Sequence, residues 1–322
     1  MSARWARAIF WNGEQRRARI PWLIALPLIG AYAAIIVAGE VVDGMLPVPA
    51  QTLVLSSAPA IVAVALIVFS RRFLGARRGL ADYGLRVDRR WMVDLFAGLA
   101  VGLVGVSIPF LIGIAVGWVD VVAVFDRGEL ALWSGIGLFV LAMLCTGLWE
   151  ELVLRGVFVC NAADGLRRWL SPRRAIAGGV AVSSIVFGLG HLGQPEIPAF
   201  ILTWILAGVV FGVIYVYSGN LALAAGAHAA FNITYNVLFS RTDIAGTEDF
   251  SAITRVAVDP FLFDLGAGGP IEIVAFLSVG GLALAWLRLT RGTLAVQSAA
   301  LGVDAGLRTP DRSLTPAAGG RS

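Results

Sequence analysis

The residues able to do chemistry in this 322-residue chain are few and regularly spaced. Both of its histidines, His191 and His228, lie in long apolar stretches, and two adjacent carboxylates, Glu150 and Glu151, lie in another. An ionisable group within a spanning helix costs on the order of 2.5 to 3.5 kcal/mol near the bilayer centre, so each is a functional candidate by default. Glu151 and Arg155 are four apart and can pair on one helix face, whereas Glu150 is turned about 100° away. The two carboxylates are therefore expected to do different jobs. Glu151, with a local cation, reads as an ion-paired structural acid, and Glu150, without one, as the base that takes a proton from water. His228 and Asn232 repeat the spacing of four among small residues that let another helix approach. Phe187 and His191 repeat it again, so that the ring can pack beside the imidazole. Each pair alone has a plainer reading: an interfacial ion pair for Glu151 and Arg155, interhelical hydrogen bonding for each His or Asn, core packing for Phe187. A base, two imidazoles and an amide donor together suit one reaction.

These side chains must be held by elements that cross a bilayer. With 58% hydrophobic and 14% charged residues the composition excludes a water-soluble enzyme. Apolar runs near 21–39, 53–70, 92–119, 131–149 continuing to 160, 175–193, 198–217, 220–240 and 271–287 predict eight helices, hence an all-α polytopic membrane protein with its active site in a cavity between helices. Asp94 suggests that the third run starts outside the hydrocarbon. The first run is longer than the apolar core of a signal peptide and reads as an uncleaved helix. Of the 25 arginines, 22 fall in the amino terminus, the 71–90 loop, the 151–174 segment and the tail; Arg127, Arg241 and Arg255 fall on the other side among acidic residues. By the positive-inside rule both termini are cytoplasmic and the protein is a multi-pass cell-membrane protein, so the net charge of +4 reports topology and nucleic acid is not a partner. The expected organisation is a basic segment at 1–20, a transmembrane domain at 21–291 with its motif core at 130–240, and a disordered cytoplasmic tail at 292–322. Cys145 and Cys160, about 22 Å apart along one helix, cannot bridge.

Three motifs carry a family resemblance: Glu-Glu-x-x-x-Arg at Glu150, Glu151 and Arg155, Phe-x-x-x-His at Phe187 and His191, and His-x-x-x-Asn at His228 and Asn232. In this order on successive apolar segments they resemble the CAAX prenyl protease and bacteriocin-processing family of intramembrane proteases, also called the CPBP or Abi family. The match covers roughly 130–240. The resemblance implies a peptidase in which Glu150 activates water and His191, His228 and Asn232 complete the site. It also implies a membrane-associated peptide or protein as substrate. The signatures of rhomboid-like serine, presenilin-like aspartyl and site-2 zinc proteases do not occur.

The expected reaction is peptide-bond hydrolysis, with Glu151 and Arg155 bracing the fourth helix and His228 and Asn232 donating to the oxyanion. Divalent metal, zinc held by His191, His228 and Glu150, is the alternative cofactor reading. The sequence leans away from it, because each histidine is on a separate helix and the i+4 neighbour of His228 is Asn232, a poor zinc ligand. From the helix starts, His191 would lie roughly 24 Å deep against roughly 15 Å for Glu150 and 12 Å for His228. A fifth helix that starts above the membrane, as Arg173 and Arg174 allow, or that tilts would bring it level. Two rival functions are a proton-coupled transporter with a Glu150, His191 and His228 relay, and a catalytically silent immunity or scaffold protein.

Overall fold

The computed structural model describes residues 9–192, 201–244, 246–259, 269–298 and 301–302. The eight apolar runs become helices α1 (Ile20–Val42), α2 (Val48–Phe73), α3 (Arg89–Ala115), α4 (Leu132–Leu166), α5 (Pro172–Gly190), α6 (Ile201–Ser218), α7 (Ala222–Ile233) and α8 (Gly269–Arg291). Six of these are long and apolar enough to cross a membrane: α1, α2, α3, α4, α6 and α8. The protein is a predominantly helical, polytopic membrane protein, but the count of eight spans is not met by α5 and α7. Arg173 and Arg174 open α5 and lower its apolarity, and α7 has only 12 residues.

The shortness of α7 follows from where it sits. Every residue from Ala222 to Phe231 is buried, because α3 and α4 close over it. Gly98 and Gly102 of α3 leave the gaps that make this approach feasible: a Cβ at either would collide with backbone of α7 at Leu223 or Ala227. Gly226 of α7 answers with the same gap against Leu95. This is the small-residue packing that lets helices meet where no hydrophobic effect drives them together.

Helix α4 changes its winding midway. Glu151–Val159 is π-helical, wider than the α-helix on either side, and all nine of its residues are buried. Such wide turns are rare and recur at functional sites. Cys145 and Cys160 both lie on this helix and both are free.

Two small sheets lie outside the helices, which the all-α expectation did not include. Strands β1 (Trp11–Asn12) and β2 (Arg17–Ala18) form a hairpin before α1. At the end of the molecule opposite the arginine-rich loops, β3 (Val119–Asp126), β4 (Ser240–Arg241) and β5 (Ala252–Val258) form a sheet in the order β3-β5-β4. The β3–β5 pair is antiparallel with an irregularity between Val121 and Ala123. β-branched and aromatic residues (Val119, Val121, Val122, Val124, Phe125) make β3 a strand, and its position between two spans hides that signal behind the longer apolar runs.

At the arginine-rich end the loop before α3 is tied to α4. Arg78 pairs with Asp164, and Asn161 donates to the Tyr83 hydroxyl at 2.9 Å. Burial, which disfavours the charge, is overcome at Arg78 by its bond to Asp164, so its pKa is raised. Burial pushes the Tyr83 phenol up to about 12. Asp94 is enclosed within the helix bundle, 4% exposed, and bonds Arg291 at 2.7 Å and Asn220 at 2.8 Å. Beyond α8, Gln297 N donates to Val216 O at 2.9 Å and Leu301 is buried. Residues 303–322 lie outside the described residues.

Candidate active site

Glu150 and Glu151 stand where α4 passes into its π-helical segment. The wide turn delivers both carboxylates to one imidazole. His228 Nδ1 is 2.9 Å from Glu151 Oε1, and His228 Nε2 is 3.8 Å from Glu150 Oε2. Glu151 is fully enclosed and also meets Arg155 at 3.1 Å, the pair anticipated from spacing. Its second partner, His228, was not anticipated, since nothing in one sequence reveals which face of α4 meets α7.

Aromatic rings wall this polar cluster. The Arg155 guanidinium lies 4.5 Å from the Phe187 ring centre and 5.7 Å from that of Phe211, distances at which a ring face attracts a cation. Phe211 stacks on His228 with centroids 4.7 Å apart and planes 10° from parallel. Phe187 touches His191 at 4.6 Å and His228 at 6.0 Å, so it is the wall between the two imidazoles. The depth mismatch of His191 is bridged in this way: it sits just past the last turn of α5, joined to the cluster through Phe187.

His191 is held by two contacts. Its Nδ1 is 2.7 Å from Phe187 O, and its ring stacks on Trp204 at 4.3 Å and 15°. The carbonyl partner assigns the proton to Nδ1 and leaves Nε2 with its lone pair. Trp204 and Phe211 are seven apart on α6, with Gly208 between them accepting a long contact of 3.4 Å from Arg155. Sequence reasoning missed this stripe. The signal was there: two aromatics and a glycine at helical spacing on the span that follows His191.

Asn232 is one turn beyond His228 on α7. Its carbonyl accepts from Asn236 Nδ2 at 2.8 Å, and among the described residues its side-chain amide makes no hydrogen bond, so it is brought near the cluster but not joined to it. Tyr32 of α1 is a further neighbour, packing edge-on against Trp149 at 6.1 Å and filling the gap beside Gly190.

Three atoms of the cluster are buried without a hydrogen-bond partner: Glu150 Oε2, Glu151 Oε2 and Arg155 Nη1. Buried polar atoms are normally satisfied, and an orphaned acceptor in a polar cluster is where a water or substrate group belongs. Among the described residues no three His, Cys, Asp or Glu side chains converge as a metal site. The arrangement of Glu150, His191 and His228 therefore does not fit a three-ligand zinc centre.

Residues 132–234, which contain α4 to α7, match the family model described as type II CAAX prenyl endopeptidase Rce1-like. The match supports the CAAX protease family. It covers all three motifs, and the family it describes is one of prenyl endopeptidases. The transporter and silent-scaffold readings are not favoured. No curated protein and no solved structure matches the chain significantly.

Proposed function

We propose that this protein is an intramembrane endopeptidase that hydrolyses a peptide bond of a membrane-associated protein with a water activated by Glu150. The observation that carries the reading is the buried, unpartnered Glu150 Oε2 at 3.8 Å from His228 Nε2, two groups that a water entering with the substrate would bond together. Glu150 takes a proton from that water, and the oxygen adds to the scissile carbonyl carbon. The negative charge that develops on the carbonyl oxygen is met by N–H donors of His228 and the free amide of Asn232. The C–N bond then breaks, and the proton held by Glu150 passes to the departing amine.

Charge counting supports these roles. Glu150, Glu151 and Arg155 sum to one negative charge in a buried cluster, and a protonated His228 makes it neutral. Protonated, His228 donates from Nδ1 to Glu151 and from Nε2 towards the reacting oxygen. His191, with its Nε2 lone pair free, accepts the second hydrogen of the water and aims it. Phe187, Phe211 and Trp204 fix the two rings. Both termini face the cytoplasm in this reading, and substrate would reach the cluster from that side. In this reading the hydrolysis requires no metal.

The test is hydrolysis of a fluorogenic farnesylated peptide ending in a CAAX sequence by the full-length protein in nanodiscs. Cleavage that survives prolonged chelation and disappears in Glu150→Gln supports the reading. Cleavage lost on chelation and restored by one equivalent of zinc would replace it with a metal mechanism.

A further inference from the structure

At the end of the molecule opposite the arginine-rich loops, β3 presents apolar side chains that the rest of the described protein does not cover. Val121, Val122, Val124 and Phe125 are each exposed by 44% or more, on a strand whose partner β5 buries Arg255 and Val256. Phe125 is 58% exposed and carries a positive φ of 52°, a backbone conformation that bulky side chains avoid. A strained position with an exposed ring gains from a contact outside the fold.

Its place in the chain says what that contact is. Only Val116 to Trp118 separate β3 from the end of spanning helix α3, a reach of about 10 Å, and α4 begins six residues after the strand ends. The strand is thus tethered at both ends to the surface of the bilayer. Leu111 and Ile112 near the end of α3 are exposed, as are Val116 and Trp118 in the link to the strand. Trp118, Phe125 and, at the start of α4, Trp133 are exposed aromatics that lie in the chain between and beside the ends of these two spans. Tryptophan and other aromatics gather at span ends in membrane proteins because an amphipathic ring suits the headgroup boundary.

We propose that β3 is a lipid-binding strand, lying in the headgroup and acyl boundary of the membrane with Val121, Val122, Val124 and Phe125 in contact with lipid. The occupant is the bilayer in which α3 and α4 already sit. The sheet then has a dry side, β3, and a polar side, where Arg241 and Arg255 are held by acids and carbonyls. This inference does not depend on the protease reading.

The experiment uses the full-length protein in phosphatidylcholine and phosphatidylglycerol nanodiscs, with Val122→Cys labelled by an environment-sensitive fluorophore. Arg127→Cys, exposed just beyond the strand, serves as the comparison, and protein with native thiols gives the background. Depth is read with lipids brominated high or low on the acyl chain. The expected result is a blue-shifted Val122 label quenched at least about twofold more by shallow bromines than the Arg127 label, as for groups roughly 5 to 10 Å into the boundary. Aqueous emission with quenching by iodide overturns the proposal. So does a blue-shifted label that no brominated lipid quenches, which means that the chain itself covers the strand. A disulfide between copies that persists on lipid dilution overturns it in favour of a dimer. If Val122→Cys disturbs folding, Val124→Cys is read in the same way.

Discussion

Arg155 and Arg255 are both nearly enclosed, with side chains 1% and 8% exposed, and they are treated oppositely by their surroundings. Arg255, in the sheet, is saturated: its nitrogens reach Asp126, the Ser240 hydroxyl at 3.1 Å, Thr247 O at 2.8 Å and Phe250 O at 2.7 Å. Arg155, between α4 and α6, has one ion pair, one long carbonyl contact and two ring faces, and its Nη1 lacks an aligned acceptor. A saturated cation fixes loops in place. An undersupplied one beside two carboxylates keeps a polar cluster that is rigid at its walls and incomplete at its centre, which is where a reactant can complete it.

The largest effect expected from this contrast is at Glu150. Glu150→Gln should lower peptide hydrolysis by about 10² to 10⁴-fold, the usual worth of a general base, while the melting temperature in detergent stays unchanged. A parallel fall in melting temperature would place Glu150 with the structural group. Arg255→Ala should behave in reverse. Its loss leaves several buried carbonyls unbonded and should lower unfolding free energy by on the order of 3 kcal/mol, with hydrolysis per folded molecule preserved. Reduced turnover in the folded fraction would show that the sheet reaches the site.

Glu151→Gln should fall between the two, because Glu151 serves Arg155 and His228 at once. A loss of about 1 to 3 kcal/mol in stability is expected together with reduced turnover. Adding Arg155→Met should restore stability more than activity. Recovery of both would reduce Glu151 to a counter-ion. The smallest expected effect is at Tyr83. Its phenol is raised to about 12 chiefly by burial, so the stabilisation it brings is fully present below the ordinary tyrosine value of about 10 and is lost as pH rises through 12. An ultraviolet titration of the native protein minus that of Tyr83→Phe should show one phenol ionising near pH 12. Ionisation near 10 would mean that the loop at 81–83 is open to solvent.

How much of this was legible depends on the range of the interaction. The Glu151–Arg155 pair and the Phe187–His191 contact are four residues apart and follow from helix geometry alone. The meeting of His228 with both glutamates spans more than seventy residues. It depends on glycine gaps in α3 and α4 that a single sequence does not mark as contacts. The enclosure of Asp94 was hidden for the same reason: its partners Asn220 and Arg291 are distant in sequence. The sheet was hidden because β3, β4 and β5 are short and lie between spans, where hydropathy is read for length rather than alternation.

The π-helical stretch Glu151–Val159 also acts as a phase adjuster within one rod. Relative to uninterrupted α-helix, it turns everything after Val159 about the helix axis. Removing one residue there would let α4 rewind as α-helix and rotate Asn161 and Asp164 by about 100°. Those two residues are the ones that grip Tyr83 and Arg78. The glutamates could then keep their register only if the loop at 74–88 let go, so the reactive turn and the distant loop hold each other's angular setting.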